Sequence, residues 1–269
     1  MPPEGVTPFE RLKASYSPFG VSRVDWDLSQ LFTDPGPYTF TLQGSNHPVD
    51  TATFTDIGLP AVNTYFLVDD ETRLFGKELD WFYRVKLQTA LRTYYSPSVT
   101  LDSSVDYRTW RIAREVLRKE KLRFSKYVGV PDAYLFKRKR FGQKCTRCAD
   151  YLLDEPIDNK CPVCLGTGKV TGYFSGVPLL IEFPVSNEIE KINIDYASTT
   201  SQGTTQNCRV IGDPVVSQDV IWDKGSGRRY IVHESTEVVT VRSYNIVSAV
   251  NIRLAPFSDA VYLIPETGI

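Results

Sequence analysis

The chain has 269 residues, a formal net charge of −1 and a hydrophobic fraction of 42%, all ordinary for a globular protein. This near-neutral charge excludes a strong attraction of the chain as a whole to nucleic acid or membranes, so charge matters only locally. The length predicts two or three small domains, and an aromatic content of 12% with one methionine favours β-rich packing.

The N-terminal sequence, MPPEGVTPFERL, has no basic stretch followed by an apolar run. No run of about 18 consecutive apolar residues occurs either. We therefore expect a soluble protein that is not exported and does not contact a membrane. Four of the five cysteines form two CxxC pairs, which fits a reducing compartment and a bound metal better than a disulfide scaffold.

Residues 1–19 are interpreted as an N-terminal arm, and residues 20–101 as a β-sandwich. Apolar and polar residues alternate in VDWDL, PYTFTLQ and WFYRVKLQ, and turn-forming residues separate these runs. The layout resembles a fibronectin type III or immunoglobulin-like domain. Trp26 takes the place of that family's early-strand tryptophan, and Tyr83 or Trp81 that of its late-strand aromatic residue. Another kind of small sandwich is the alternative.

Residues 102–185 are interpreted as a basic helix followed by a metal-binding ribbon. The period changes near residue 103, where Ser103 or Ser104 can cap a helix that ends at Gly129 and Pro131. Thirteen Lys or Arg against three acids lie between positions 111 and 147. This asymmetry indicates contact with an acidic partner or DNA, and a solvated helix face is the alternative. The candidate contact residues are Arg111, Arg114, Arg118, Lys137, Arg138, Lys139 and Arg140.

Cys145, Cys148, Cys161 and Cys164 are predicted to bind one structural zinc ion. Twelve residues separate the two CxxC pairs, a length that lets one hairpin return the second pair to the first. Four thiolates leave no open coordination position, so the site is not expected to be catalytic. Two disulfides or four free thiols are the alternatives. The string CPVCLGTG resembles one repeat of the cysteine-rich domain of DnaJ chaperones, but that family has four repeats, so no chaperone function is implied.

Residues 186–269 are interpreted as a small β-barrel. The polar stretch 198–207 is predicted to be a mobile loop or hairpin tip, followed by five strands. These are DVIW, RYIVH, EVVTVRS, NIVSAVNIRLAP and AVYLIP, with a hairpin turn at KGSGR. The predicted fold is therefore mainly β and multidomain: a sandwich, a helix with a zinc ribbon, and a barrel.

The sequence offers no catalytic constellation. His47 and His233 lie far apart without supporting motifs, and no phosphate-binding or zinc-protease string occurs. Cys208 lacks a neighbouring histidine and is expected to be inert or mildly reactive, and not a nucleophile. We therefore expect no enzyme activity and no small-molecule substrate.

The last domain resembles the head-closure, or head-to-tail connector, proteins of tailed bacteriophages. The strings DVIWDKGSGRRYIVHES, SYNIVSAVNIRLAP and SDAVYLIP carry this resemblance. It implies a virion structural protein, assembled in the host cytoplasm, that forms a homo-oligomeric neck ring. Portal or adaptor and tail proteins would be its partners, with packaged DNA as a further contact. A tail or baseplate protein, or a cellular nucleic-acid-associated zinc-ribbon protein, is the alternative.

Overall fold

The computed structural model describes residues 7–17, 21–29, 32, 34–47, 53–70, 81–101, 107–148, 156–158, 160–183, 189–191, 204–241 and 244–266. The fold is mainly β, as predicted. Within these ranges no helix has both the length and the apolarity needed to span a bilayer. The chain divides into two compact units, the first made of Met1–Arg111 with Arg140–Lys144 and the second of Ile112–Lys139 with Cys145–Ile269.

The first unit contains two antiparallel sheets. One has the strand order β1–β2–β5, and the other the order β4–β3–β6–β7 with β8 also paired to β6. The strands are β1 (Phe9–Ser17), β2 (Val21–Leu28), β3 (Thr39–Ser45), β4 (Thr55–Val62), β5 (Phe66–Asp69), β6 (Phe82–Gln88), β7 (Thr93–Tyr95) and β8 (Val99–Thr100).

This strand order differs from that of an immunoglobulin constant-type domain. In an immunoglobulin constant-type domain the fourth strand lies in the sheet of the first, second and fifth strands. Here β4 pairs instead with β3, in the opposite sheet. The three strands predicted from alternation are β2, β3 and β6, and all of them are central strands.

Trp26 lies at the centre of this sandwich, as its position in the alternating run predicts. Its side chain is 2% exposed, and its ring centroid lies 4.9 Å from that of Phe40 in the other sheet. A second contact between the sheets is polar, because the buried Tyr83 hydroxyl donates a 2.9 Å hydrogen bond to the carboxylate of Asp69. The indole N–H of Trp26 is buried and has no acceptor among the described residues.

We expect Trp26→Ala to lower the free energy of unfolding of the sandwich by about 3–5 kcal/mol, because it opens a cavity between the sheets. Trp26→Phe is the control, since it keeps a ring against Phe40 and removes an N–H for which the described residues offer no acceptor. Hydrogen exchange of the β2 and β3 amides in the full chain measures both effects. Equal losses from the two variants would contradict this account of the core.

The second unit includes most of the predicted helix. The helix α1 spans Tyr107–Arg123 and continues as one π-helical turn, Phe124–Val128, before Gly129 begins the next strand. Ala113 and Leu117, which are four residues apart and therefore lie on one face of the helix, are fully or almost fully buried. The predicted capping residues, Ser103 and Ser104, lie outside the described residues.

Six antiparallel strands of the second unit close into a barrel in the order β10–β9–β13–β14–β15–β12, with β12 paired back to β10. A short further strand, β11, extends the sheet along β12. The strands are β9 (Gly129–Phe136), β10 (Val177–Glu182), β11 (Ile189–Lys191), β12 (Thr204–Ile211), β13 (Val220–Asp223), β14 (Arg228–Val241) and β15 (Tyr244–Leu254). The cysteine ribbon is inserted between β9 and β10.

The barrel has two apolar layers. The inner layer fills the barrel and includes Leu135, Ile181, Ile221 and Val250. The outer layer covers the wall formed by β9, β13 and β14. It joins Phe136, Val220 and Trp222 to the C-terminal segment through Ala255, Ala260, Val261 and Ile264. The barrel wall is thus buried on both faces along these strands.

Several details of the predicted C-terminal domain differ from the structure. β9 and β10 belong to the barrel although they precede residue 186. Residues 204–207 belong to β12, so the loop prediction is wrong for them, and residues 198–203 lie outside the described residues. RYIVH and EVVTV fall on one strand, β14, because its register shift near His233 absorbs the break in alternation, and residues 242 and 243 lie outside the described residues.

The predicted closing strand AVYLIP is a 3₁₀ helix, Ala260–Leu263, and not a strand. The Asp259 carboxylate accepts a 3.1 Å hydrogen bond from the Val261 N–H and so caps this helix. Val261 and Ile264, three residues apart, both point into the outer layer. Helical spacing therefore buries the apolar residues that had suggested a strand.

Candidate metal centre

Four cysteines from two tight turns form the candidate metal centre. Cys145 and Cys148 lie on the first turn, and Cys161 and Cys164 on the second. Backbone hydrogen bonds connect the turns to the ribbon. The Cys145 N–H donates to the Gly168 carbonyl at 2.8 Å, and the Leu165 N–H donates to the Cys161 carbonyl at 2.8 Å. The positions of the ligands are thus fixed by the backbone and do not depend on side-chain packing alone.

The four sulfur atoms lie within 4.8 Å of one another, and all four cysteines are buried. The Cys145 and Cys161 sulfurs are 3.8 Å apart, and those of Cys148 and Cys164 are 3.1 Å apart. A disulfide requires about 2.05 Å, so the two-disulfide alternative does not describe these pairs. Sulfurs bound to one tetrahedral ion at about 2.3 Å would be roughly 3.8 Å apart. The cluster can therefore hold one metal ion.

Without a bound ion, the thiols of Cys161 and Cys148 have pKa values shifted in opposite directions. Burial raises the pKa of the Cys161 thiol, but backbone N–H groups of Cys164 and Val163 point at its sulfur and lower that pKa to about 7 overall. Burial and hydrogen bonds with the other three thiols raise the pKa of Cys148. N–H groups directed at a sulfur are the arrangement that stabilises a metal-bound thiolate.

Glycines allow the second turn to fold back on itself. Gly166 and Gly168, which follow the second CxxC pair, have φ values of 76° and 77°, in the region that favours glycine. At Gly172 a Cβ atom would lie 2.5 Å from the Cys164 carbonyl oxygen, so a larger residue could not fit without moving the turn. The glycine pattern therefore supports the geometry of the ligands.

The ribbon also contributes to the outer layer of the barrel. Leu165 follows the fourth ligand directly, is 6% exposed, and packs in the same apolar cluster as Phe136, Trp222 and Val261. The chain reverses around it, with Leu165 itself at a φ of 54°. The metal-ligand turn and the barrel wall are thus in direct contact within this unit.

The candidate basic residues fall into two groups. Arg111, Arg114 and Arg118 are exposed on one face of α1, because their spacing of three and four residues returns to the same side of the helix. The Arg118 guanidinium donates to Glu115 at 2.8 Å, an exposed ion pair that partly offsets its charge. This face is the solvent-exposed part of the predicted basic surface.

Most of the basic residues at 137–140 contact other parts of the chain, unlike the exposed arginines of α1. The ammonium group of Lys137 contacts the Asp219 carboxylate at 2.9 Å and the Pro214 carbonyl, and this ion pair is largely buried. The Arg138 N–H also donates to Asp219, at 3.0 Å. Lys139 contacts the Thr171 hydroxyl and lies 5.5 Å above the Phe174 ring. Arg140 is exposed. Lys137 and Lys139 thus make contacts inside their own unit.

The remaining candidate groups lie apart from the metal centre. Cys208 is fully buried inside the barrel, where burial and then the charge of Glu182 raise its pKa to about 12. His47 and His233 are both exposed. Burial of part of its ring and the charge of Arg253 lower the pKa of His233. None of these groups contacts a described nucleophile or carboxylate that would complete a catalytic pair.

Arg229 is a buried cation that the sequence did not reveal. It is 2% exposed, and it donates hydrogen bonds to the Val261 carbonyl and, at 3.0 Å, to the Ile264 carbonyl. Its guanidinium lies 5.6 Å from the rings of Phe136 and Trp222. Burial lowers its pKa. Arg229 and the inward-facing Tyr230 are successive residues of β14, so their side chains point to opposite faces of the barrel wall. The C-terminal segment covers the Arg229 side chain.

Comparison with known proteins gives no family assignment. No protein-family model matches the sequence, and no curated protein matches it. Among solved structures, the chain is similar to "Titin kinase and its flanking domains" at 10% identity and a TM-score of 0.29. That alignment covers 92% of this chain and 37% of the other, so this chain spans little more than a third of that protein.

Proposed function

We propose that this chain is a non-enzymatic structural protein of a tailed-phage virion. In this proposal it forms an oligomeric neck ring that joins the portal and head to the tail and helps to retain DNA. The supporting observation is the closed six-stranded barrel, because the residues that resemble head-closure proteins make up its β13–β15 strands and the 3₁₀ helix that covers them. The sandwich and the ribbon would then be additions to a small barrel.

We further propose that the metal ion in the ribbon is zinc with a structural role. Four cysteine thiolates are the donor set that structural zinc sites use, and the 3.8 Å separation of two of the sulfurs fits tetrahedral zinc.

The exposed face of α1 is the proposed contact with an acidic partner or with DNA. Arg111, Arg114 and Arg118 share this face with Lys119, against Glu115 as the acidic residue among them. A face of this kind binds phosphates without reading sequence, so its affinity would fall steeply as salt rises. That property suits a protein that meets packaged DNA of any sequence.

The position in the particle can be tested by proteomics and imaging of assembly intermediates. If the chain is a neck component, it will co-purify with DNA-filled heads that lack tails, in several copies arranged around the tail axis. Heads lacking a portal serve as the control and should not contain it. Its presence only on free tails or baseplates would favour a tail protein, and its absence from particles would overturn the proposal.

A further inference from the structure

The ribbon and the C-terminal segment, residues 255–266, pack on the same face of the barrel wall. Leu165, which directly follows the fourth cysteine, is buried in one apolar cluster with Val261 and Ile264 of that segment. Trp222 of β13 belongs to the same cluster. Three distant parts of the chain therefore share one cluster, so a change in one part loosens the packing of the others.

A second residue of the ribbon, Tyr173, also packs against this cluster. Its place is fixed by pairing with the chain that follows β9. Tyr173 bridges Arg138, and the Phe174 N–H donates to the Lys137 carbonyl at 2.9 Å. Burial and the charge of Asp259, which caps the 3₁₀ helix, raise the pKa of Tyr173 to about 12, although the charge of Arg138 opposes them. This pairing involves no cysteine, so it does not depend directly on a metal ion.

Leu165, in contrast, is held in the cluster by the second metal-ligand turn. Its N–H donates to the Cys161 carbonyl at 2.8 Å, and the Thr167 N–H donates to the Cys164 carbonyl at 3.0 Å. The φ of Leu165 is 54°, a left-handed conformation that is unfavourable for a bulky residue and persists only where its surroundings enforce it. Because Cys161 and Cys164 are both candidate ligands, loss of the ion would remove the constraint on this conformation.

The C-terminal segment has two kinds of attachment to the barrel. The hydrogen bonds described between them all involve Arg229. The Ala255 N–H donates to the Arg229 carbonyl at 2.9 Å, and the guanidinium donates to the Val261 and Ile264 carbonyls. The other attachment is apolar packing in the shared cluster, to which Leu165 contributes from the ribbon. A 3₁₀ helix of four residues has little stability of its own, so its position depends on these two attachments.

We propose that metal binding in the ribbon holds the C-terminal segment on the barrel wall through Leu165. Without the ion, Leu165 leaves the cluster, the 3₁₀ helix loses one side of its packing, and the segment detaches more often from Trp222 and its neighbours. The coupling is reciprocal, since a segment that is attached favours the bound ion by the same factor. This inference rests on the proposed metal ion but not on the proposed place in a virion.

The test compares hydrogen exchange of the full-length protein with zinc bound, after chelation under reducing conditions, and after zinc is added back. We expect the amides of Ala255, Val261 and Ile264 to exchange at least tenfold faster after chelation, because the segment opens locally. Added zinc should restore their protection. Amides in the β12–β15 pairing should not change, since the inner layer of the barrel contains no ribbon residue.

Leu165→Ala separates the packing contact from the ion, because it leaves all four cysteines in place. With zinc in excess, we expect this variant to keep the ion and to show at least tenfold faster exchange in the C-terminal segment. Chelation should then add little further loosening. Leu165→Met conserves volume and should behave like the native chain. Val163→Ala is the matched control, since Val163 lies in the same turn but is 39% exposed and outside the cluster.

The outcomes separate this inference from the metal assignment. Equal exchange of the C-terminal segment with and without zinc, in a protein that binds the ion, would overturn the inference and leave the metal site standing. Equal loosening by Leu165→Ala and Val163→Ala would also overturn it, because the effect would not come from the shared cluster. A native protein that binds no zinc would remove the proposed ion and this inference together.

Discussion

We expect Cys161→Ser to abolish metal binding and unfold the ribbon, because three thiolates and a neutral hydroxyl should not hold the proposed zinc ion in a small segment that has little core of its own. We expect about one zinc ion per native chain and close to none in the variant. The free energy that structural zinc contributes to small domains is on the order of 10 kcal/mol or more, which exceeds what the ribbon can gain from apolar burial. Elemental analysis of reduced protein measures the ion directly.

The fifth cysteine provides a matched control. Cys208 is as buried as the four ligands but lies inside the barrel, so Cys208→Ala should keep the full metal content. Exchange protection should fall in residues 145–148 and 160–172 of the Cys161→Ser variant, whereas β9–β15 should stay protected. A native protein without metal after reduced purification, or a Cys161→Ser ribbon that stays protected, would contradict the assignment.

We expect Arg229→Met to lower the free energy of unfolding of the barrel unit by about 3–5 kcal/mol, because it leaves the Val261 and Ile264 carbonyls without the guanidinium donor. The 3₁₀ helix then loses its attachment to the barrel wall. Arg229→Lys should recover only part of the loss, since one ammonium group cannot reproduce a planar guanidinium among aromatic rings. Urea denaturation with far-ultraviolet circular dichroism measures the change.

The neighbouring arginine serves as the control for charge and composition. Arg228 is exposed, so Arg228→Met should change stability by less than about 0.5 kcal/mol. Fluorescence of Trp222, which lies near Arg229, should report loosening of the outer layer only in the Arg229 variants. Equal effects at both positions would show that the C-terminal segment does not depend on the buried cation.

Local patterns predicted those features that depend on residues close in sequence. The spacing of the two CxxC pairs predicted that the four cysteines come together. The alternation of apolar and polar residues predicted the central strands and the buried Trp26, since one face of each strand is buried and the other is not. The hairpin turn before β14 was correct because glycine and neighbouring polar residues specify it locally.

Features that depend on contacts between distant segments could not be predicted from local sequence patterns. The strand pattern of β9 is interrupted by a left-handed Asp132 and follows a π-helical turn, so its place in the barrel was hidden. The sequence AVYLIP has apolar residues suited to either a strand or a 3₁₀ helix, and the Asp259 cap and the outer layer decide between them. Lys137 looked like part of a basic patch because its partner, Asp219, is 82 residues away.

The placement of the ribbon between β9 and β10 also bears on how the chain folds. These two strands are adjacent in the barrel but separated by about 40 residues, and metal binding at the base of the insertion shortens the effective loop by roughly half. Halving a flexible loop lowers the entropy cost of closing it by only about 0.6 kcal/mol, which corresponds to a rate change of roughly threefold. Closure of the barrel should therefore be at most about threefold faster with the ion than without it. The length of the insertion is correspondingly free to vary without slowing the pairing of the strands on either side.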